Sequence, residues 1–486
     1  MAEQGLKDKT VRSVGWSAAE TILRYGVSFV VGIILARLLS PDEYGLIGIL
    51  TVFIAFSEVI IDGGFINALI RKQKAEDIDY CTVFYFNLVL SIVLAGIIFL
   101  CSGLIANFFN REELVSLTKV MSSILIINAL ALVQRTRLTK AINFKPLMKI
   151  GVASSVVSGA VGIAMAYKGF GVWALVGQQL SAATTNTILL WVANRWLPKL
   201  QFSVKSFKEL WDFGWKLLVS GILNRLSSEI QHLIIGKIFS PATLGQYTRA
   251  HQFGSIFSSN VTTVVQKVTF PVLSTIQDDP ERMKDAYKRV IKVTVLPTFV
   301  FMLGLAAVAK PLLFVLIGPK WDEAPYFLQI ICFSLMLYPL HALNLNAIQV
   351  MGRSDLTLKI NIIKNLLVVI PITLGLFFGI YWMLVANVAR GYFSYYLNAY
   401  YSKPLLNYSI KEQISDIFPS LKVALITAVP VFLLSFIPIS YYVLLPIQIV
   451  VGSIIAVAAC EIMKLPEYFE IKTIVFKTIQ KILKKH

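Results

Sequence analysis

Several charged residues of this 486-residue chain stand at helical spacing inside long apolar runs, where ionisable groups are expensive and need a reason to be kept. Glu20 and Arg24 are four residues apart, as are Glu58 and Asp62, while Arg225, Glu229 and His232 follow one another at i, i+4 and i+7. Residues at those intervals share one face of a helix. Glu20 with Arg24 and Arg225 with Glu229 can neutralise one another on a buried face or line a polar passage, and the sequence leaves both readings open. Glu58 and Asp62 form a different pattern, two carboxylates one turn apart. Such a pair can hold a proton or a cation, or one of them can meet an Arg or Lys from a neighbouring helix.

Arg249, His251 and Lys267 have no acidic residue at helical spacing, and with Arg249 the segment 244–275 offers a polar stripe of Gln252, Ser259, Thr263, Gln266 and Lys267. An anionic ligand is the natural partner for such cations, and Arg in particular grips phosphate with two parallel hydrogen bonds. A pyrophosphate is therefore an expected ligand, with Arg24, Lys216, Arg225, Arg249, His251 and Lys267 as the candidates to hold it. Glu20, Glu58, Asp62 and Glu229 are the candidates for ion coupling. Arg37, Lys119, Lys292, Lys364, Arg390 and Lys422 read as snorkelling or interfacial residues. Trp16, Trp173, Trp191, Trp196, Trp215, Tyr441 and Tyr442 fall near the ends of apolar runs, where anchoring at the membrane surface is the default and sugar stacking the alternative.

These side chains need helices in a membrane to position them. With 56% hydrophobic and 15% charged residues and a mean hydropathy of +0.71, the chain is too apolar for a soluble protein of its length. A bilayer core needs about 20 residues of helix, and fourteen apolar windows of that length run between residues 13 and 463. The net charge of +18 does not point to nucleic acid, because Lys and Arg concentrate in alternate loops, the pattern of cytoplasmic membrane segments. The opposite set of loops holds only Arg111, Lys168, Lys237, Lys310 and Lys320. Both termini are thus expected in the cytoplasm. The first ten residues are polar and the first apolar stretch is too long for a signal peptide, so that stretch is expected to stay as the first span.

A repeat near 200 residues divides the helices. Gly15-Trp16 returns as Gly214-Trp215, and Ser40-Pro41 with Gly45 returns as Ser240-Pro241 with Gly245. Lys149-Ile150 matches Lys359-Ile360, and Trp173 with Leu175-Val176 matches Trp382 with Leu384-Val385. The matches begin on the same side of the membrane, which makes the halves parallel repeats of six helices. The expected fold is an all-α integral membrane protein: a six-helix lobe over 1–200, an amphipathic cytoplasmic linker helix or simple tether over 201–212, a second six-helix lobe over 213–403, and two further helices with a basic tail over 404–486. The charged spans are the repeat counterparts one and seven, two and eight, so a central cavity between the lobes is expected. Cys81, Cys101, Cys332 and Cys460 show no CxxC spacing, and neither a metal site, a cofactor nor a disulfide framework is expected. No nucleophile elbow, phosphate-binding loop or long soluble segment is present to house an enzyme active site or an ATPase.

The stretch Leu35-Ala36-Arg37-Leu38-Leu39-Ser40-Pro41-Asp42-Glu43-Tyr44-Gly45, with Asp62-Gly63-Gly64-Phe65, Ala68-Leu69-Ile70 and Gly171-Val172-Trp173-Ala174-Leu175-Val176, resembles bacterial polysaccharide-export flippases of the Wzx type. These belong to the multidrug, oligosaccharidyl-lipid and polysaccharide exporter superfamily. The resemblance covers essentially the whole chain and implies an inner-membrane transporter rather than an enzyme. It implies an undecaprenyl-pyrophosphate-linked oligosaccharide, such as an O-antigen, capsule or exopolysaccharide repeat unit, moved from the cytoplasmic to the outer leaflet by alternating access. Na+ or H+ coupling or the membrane potential would drive it, and polysaccharide polymerase or export machinery would receive the product. The alternatives within the superfamily are a cation-coupled multidrug exporter and a lipid II flippase.

Overall fold

The computed structural model describes residues 23, 26–276 and 279–483, and every element in them is helical. Glu20 and Arg24 lie outside the described residues, as does the side chain of Lys267. The chain divides into two compact units, residues 1–245 and 246–486.

Unit 1 holds α1 (Gly26–Leu38), α2 (Pro41–Asp62), α3 (Phe65–Arg71), α4 (Asp77–Leu100), α5 (Ser102–Phe109), α6 (Glu113–Met121), α7 (Ser123–Lys140), α8 (Phe144–Tyr167), α9 (Trp173–Asn194) and α10 (Val204–Ile234). A π-helical turn over Ile235–Phe239 then leads into α11 (Pro241–Ser274), most of which belongs to unit 2. Unit 2 continues with α12 (Pro280–Ala307), α13 (Ala309–Ile317), α14 (Ala324–Leu335), α15 (Tyr338–Val350), α16 (Ser354–Leu366), α17 (Val369–Phe378) and α18 (Ile380–Tyr400). It ends with α19 (Ser402–Leu406), α20 (Ile410–Leu433), α21 (Tyr441–Ile462) and α22 (Pro466–Leu483).

Among the described residues, nine helices are long and apolar enough to cross a membrane: Pro41–Arg71, Asp77–Leu100, Glu113–Lys140, Phe144–Tyr167, Glu281–Ala307, Ala324–Val350, Asp355–Phe378, Ile410–Phe436 and Tyr441–Ile462. The chain is therefore a multi-pass membrane protein. The described part of each of the other apolar windows of the sequence also falls on a helix, namely α1, α9, α10, α11 and α18. Of these, α9, α10, α11 and α18 are long enough but interrupted by polar or charged residues, which keeps them out of the nine.

The repeated Ser-Pro-x-x-x-Gly segment has a clear structural use. Ser40 caps α2, its hydroxyl accepting from the Glu43 amide while the Glu43 carboxylate accepts from the Ser40 amide at 2.6 Å. Ser240 does the same for α11, accepting from the Thr243 amide at 2.9 Å. Pro41 and Pro241 occupy the first helical position, where no N–H is needed. The glycines then let the two helix starts cross reciprocally. A Cβ on Gly45 would stand 1.6 Å from the Pro241 carbonyl oxygen, and one on Gly245 would stand 1.9 Å from that of Pro41.

The same logic lays α10 antiparallel along α2. Gly214 meets Gly64, where a Cβ would lie 2.4 Å from the Gly214 carbonyl oxygen, Gly221 meets Val59, and Gly236 meets Ile49. The joint between α2 and α3 depends on Gly63 and Gly64, both at positive φ (55° and 77°). Residues 204–212, within the expected linker segment, form the first turns of α10. Phe207 and Trp211 stack on each other at 6.0 Å and pack on Phe65 at 5.7 and 5.8 Å, so this apolar face is covered by unit 1. Lys72 bridges Asp79 and Glu209, each at 3.0 Å, and ties α10 to α4.

In unit 2, ion pairs hold α20 and α22 to α12. Lys284 reaches Glu412 at 3.2 Å, Lys292 reaches Asp416 at 2.9 Å, and Arg289 reaches Glu470 at 2.9 Å. Lys292, expected as an interfacial residue, therefore has a defined partner.

Candidate functional site

Glu58 and Asp62 open into a cavity of about 490 Å3 within unit 1, walled by α2, α7, α9 and α10. The two carboxylates point the same way because they are one turn apart, and α10 crosses in front of them because its glycines allow the close approach. Glu58 accepts a hydrogen bond of 2.7 Å from the Asn128 side-chain amide on α7. Asp62 accepts from the Ile66 backbone amide at 3.3 Å and so also caps the start of α3. On the opposite wall Arg135 donates to Asn186 at 3.3 Å.

Arg225 also lines the cavity and faces Glu58 electrostatically. It pairs with Glu229 at 3.4 Å, while the other Glu229 oxygen meets His232 Nδ1 at 2.9 Å. The Nε of Arg225 is buried without an acceptor among the described residues, so its donors are incompletely used. Arg225 and Glu229 thus form an ion pair, one member of which also lines the cavity. Lys216 is exposed on the same helix, about one ring away from Trp215 with its Nζ 6.0 Å from the indole centroid.

Arg249 and His251 belong to unit 2. Arg249 donates to Gln252, and His251 lies 6.0 Å from the Tyr247 ring. Unit 2 also gathers a cluster that the sequence reading passed over. Lys364 on α16, Arg390 on α18 and His341 on α15 act on one another electrostatically. Among the described residues, neither Lys364 nor Arg390 has a carboxylate or hydrogen-bond partner, and the Arg390 Nε is buried unsatisfied. Asn398 contacts His341 Nδ1 at 3.1 Å. Lys364 lies within α16, part of the apolar helix Asp355–Phe378, and Arg390 lies midway along α18.

Asn128, Asn186 and Arg135 were missed by sequence reasoning. Asn128 and Arg135 are seven residues apart, hence on one face of α7, and that spacing in an otherwise apolar run is the signal that could have found them. The arrangement as a whole offers carboxylates, amides and guanidinium groups in a cavity and bare cations in a second cluster. Such a set binds and releases charged and polar groups, and no nucleophile with its base is assembled in it.

A family model described as polysaccharide biosynthesis protein matches residues 34–325, more than half of the chain. The lipopolysaccharide biosynthesis protein WzxC of Escherichia coli K12 is 25% identical over 375 residues, covering 76% of each chain. The succinoglycan biosynthesis transport protein ExoT of Rhizobium meliloti is 28% identical over 317 residues, 65% of this chain and 64% of that protein. Among solved structures, the lipid II flippase MurJ in an inward closed conformation superposes with a TM-score of 0.75 at 16% identity, covering 93% of this chain and 98% of the other. That likeness establishes a MurJ-like helical fold. The match over residues 34–325 contains the Ser-Pro-x-x-x-Gly segments, the acidic turn of α2 and the whole of α10, and by it the chain belongs to the polysaccharide biosynthesis protein family.

Proposed function

We propose that this transporter is a flippase that carries an undecaprenyl-pyrophosphate-linked oligosaccharide from the cytoplasmic to the outer leaflet of a bacterial inner membrane by alternating access. It acts by binding and releasing its cargo, not as an enzyme. The observation that carries the reading is a pair of cations, Lys364 and Arg390, that have no carboxylate partner among the described residues and lie within helices of a multi-pass membrane protein of a polysaccharide biosynthesis family. A pyrophosphate supplies the missing negative charge and the acceptor oxygens that Arg binds in pairs. The transport named for ExoT and the biosynthetic role named for WzxC favour a cargo bound for a cell-surface polysaccharide.

In this reading all fourteen helical windows cross the membrane, with both termini inside and two repeats of six helices followed by α20 and α21. Arg225, Arg249, His251, Lys216, Lys267 and Arg24 contribute to the path of the charged headgroup. Glu58 and Asp62 are the coupling carboxylates, since Glu229 is engaged by Arg225 and His232. Coupling to Na+ or H+, and delivery to polymerase or export machinery, belong to the same proposal.

The experiment is a cell in which the gene is silenced. Lipid-linked oligosaccharide should accumulate while remaining inaccessible to a lectin added to spheroplasts, and restoring the gene should make it accessible. Accumulation of an accessible lipid in the silenced cell would overturn the proposal.

A further inference from the structure

Unit 2 contains a separate cavity of about 460 Å3 where α13 connects to α14, within the range of about 300–1,000 Å3 typical of small-molecule sites. Trp321, only 1% exposed, forms its floor. Tyr326, 46% exposed, and Tyr441 stand at the rim, and the Tyr441 ring meets Phe314 edge-on at 4.9 Å. Asp322, Glu323 and Lys310 supply the polar part of the lining.

The cavity wall is fixed before any ligand arrives. The Gln246 amide donates to the Lys320 carbonyl at 3.1 Å and to Asp322 at 3.0 Å, and its oxygen accepts from the Ala324 amide at 3.1 Å. One side chain thus pins the segment at both ends. Asp322 also accepts from the Glu323 amide at 3.0 Å. The Glu323 carboxylate has no hydrogen-bond or ion-pair partner among the described residues, and burial, followed by the Asp322 charge, raises its proton affinity.

Interfacial anchoring accounts for exposed tyrosines at a membrane edge. It does not account for a hollow with a buried indole floor and a half-buried carboxylate left without a partner. Those features match a pyranose: its C–H face packs on aromatic rings, and its hydroxyls donate to carboxylates. Two carboxylates against one ammonium disfavour a uronate by like-charge repulsion. We infer that this cavity is a glycan subsite that holds an uncharged or amino-bearing pyranose of the lipid-linked oligosaccharide on the outer side of the membrane. The inference rests on the flippase reading and on the connection over 310–323 facing outward.

The test uses the full chain in lipid nanodiscs and native mass spectrometry with two probes: undecaprenyl pyrophosphate carrying the producing strain's oligosaccharide, and undecaprenyl pyrophosphate alone. The wild type should prefer the sugar-bearing lipid by about fivefold or more, the scale of one aromatic contact. Tyr326→Ala with Tyr441→Ala, and separately Glu323→Gln, should bring that ratio toward one without changing the affinity for the bare carrier. Tyr326→Phe, which keeps the stacking face, should retain the ratio. A wild-type ratio of one with the bare carrier still bound would overturn the subsite alone, as would an unchanged ratio in the double and Glu323 variants. Failure of both lipids to bind would overturn the flippase reading and the subsite with it.

Discussion

Glu58 meets a neutral amide, Asn128, with Arg225 facing it from α10, where the sequence offered a proton or cation site or an Arg or Lys from a neighbouring helix. An amide partner holds a carboxylate in place without fixing its charge, as a coupling group requires. Glu58→Gln should keep the hydrogen bond and remove the charge. The expected result is transport reduced about tenfold or more and no longer responsive to an imposed ion gradient, with unchanged expression, measured in proteoliposomes. The unpaired cations predict the opposite balance of stability and function. Removing one member of a buried pair leaves the other uncompensated, whereas removing a charge that has no partner removes a cost. Lys364→Gln with Arg390→Gln should therefore leave the thermal midpoint level or raised while lipid binding weakens about tenfold. Arg225→Ala should lower the midpoint, because it strips Glu229 of its ion pair. The charges of α10 were legible at helical spacing. Asn128 was legible only through its seven-residue spacing to Arg135, since a single neutral amide does not disturb an apolar run, and only the folded neighbours reveal that no carboxylate among the described residues reaches Lys364 or Arg390.

Helix starts and crossings carry the next level of the argument. In an exposed helix interior, Gly→Ala ordinarily stabilises by about 1 kcal/mol. At Gly45 and Gly245 the sign should reverse, because the added carbon collides with a carbonyl of the crossing helix. Gly45→Ala and Gly245→Ala should each lower the thermal midpoint by several degrees, whereas Gly304→Ala, with open space around it, should not. Equal midpoints for all three would refute the reciprocal crossing. The Ser-Pro-x-x-x-Gly repeat was visible in the sequence as a recurrence, but its purpose was not, since a repeat does not say that its two copies touch. The segment expected as a linker over 201–212 enters α10 without a break from Val204 onward. Its alternating apolar and charged residues fit a membrane-surface helix and a packed helix equally well, and in the structure Phe207 and Trp211 pack on Phe65.

At the scale of the whole molecule, composition and loop charge suffice to place the chain in a membrane, and the described part of each apolar window of the sequence coincides with a helix. How many of those helices cross is less legible, because a helix that lines a polar passage trades hydropathy for function. Polar or charged residues keep α9, α10, α11 and α18 outside the nine apolar helices although they are long enough, and of these α9 and α10 line the unit 1 cavity. The fourteen-span topology makes a direct prediction: single cysteines at Lys168 and Lys320 should react with an impermeant thiol reagent from outside, and one at Lys140 should not. Outside labelling at Lys140 would invert every later loop. The most direct test of the account is transport itself. Purified protein in vesicles containing fluorescent undecaprenyl-pyrophosphate-oligosaccharide should move the labelled lipid between leaflets, faster than protein-free vesicles and in proportion to protein added. No movement of that lipid, with efflux of a cationic dye in its place, would contradict the account.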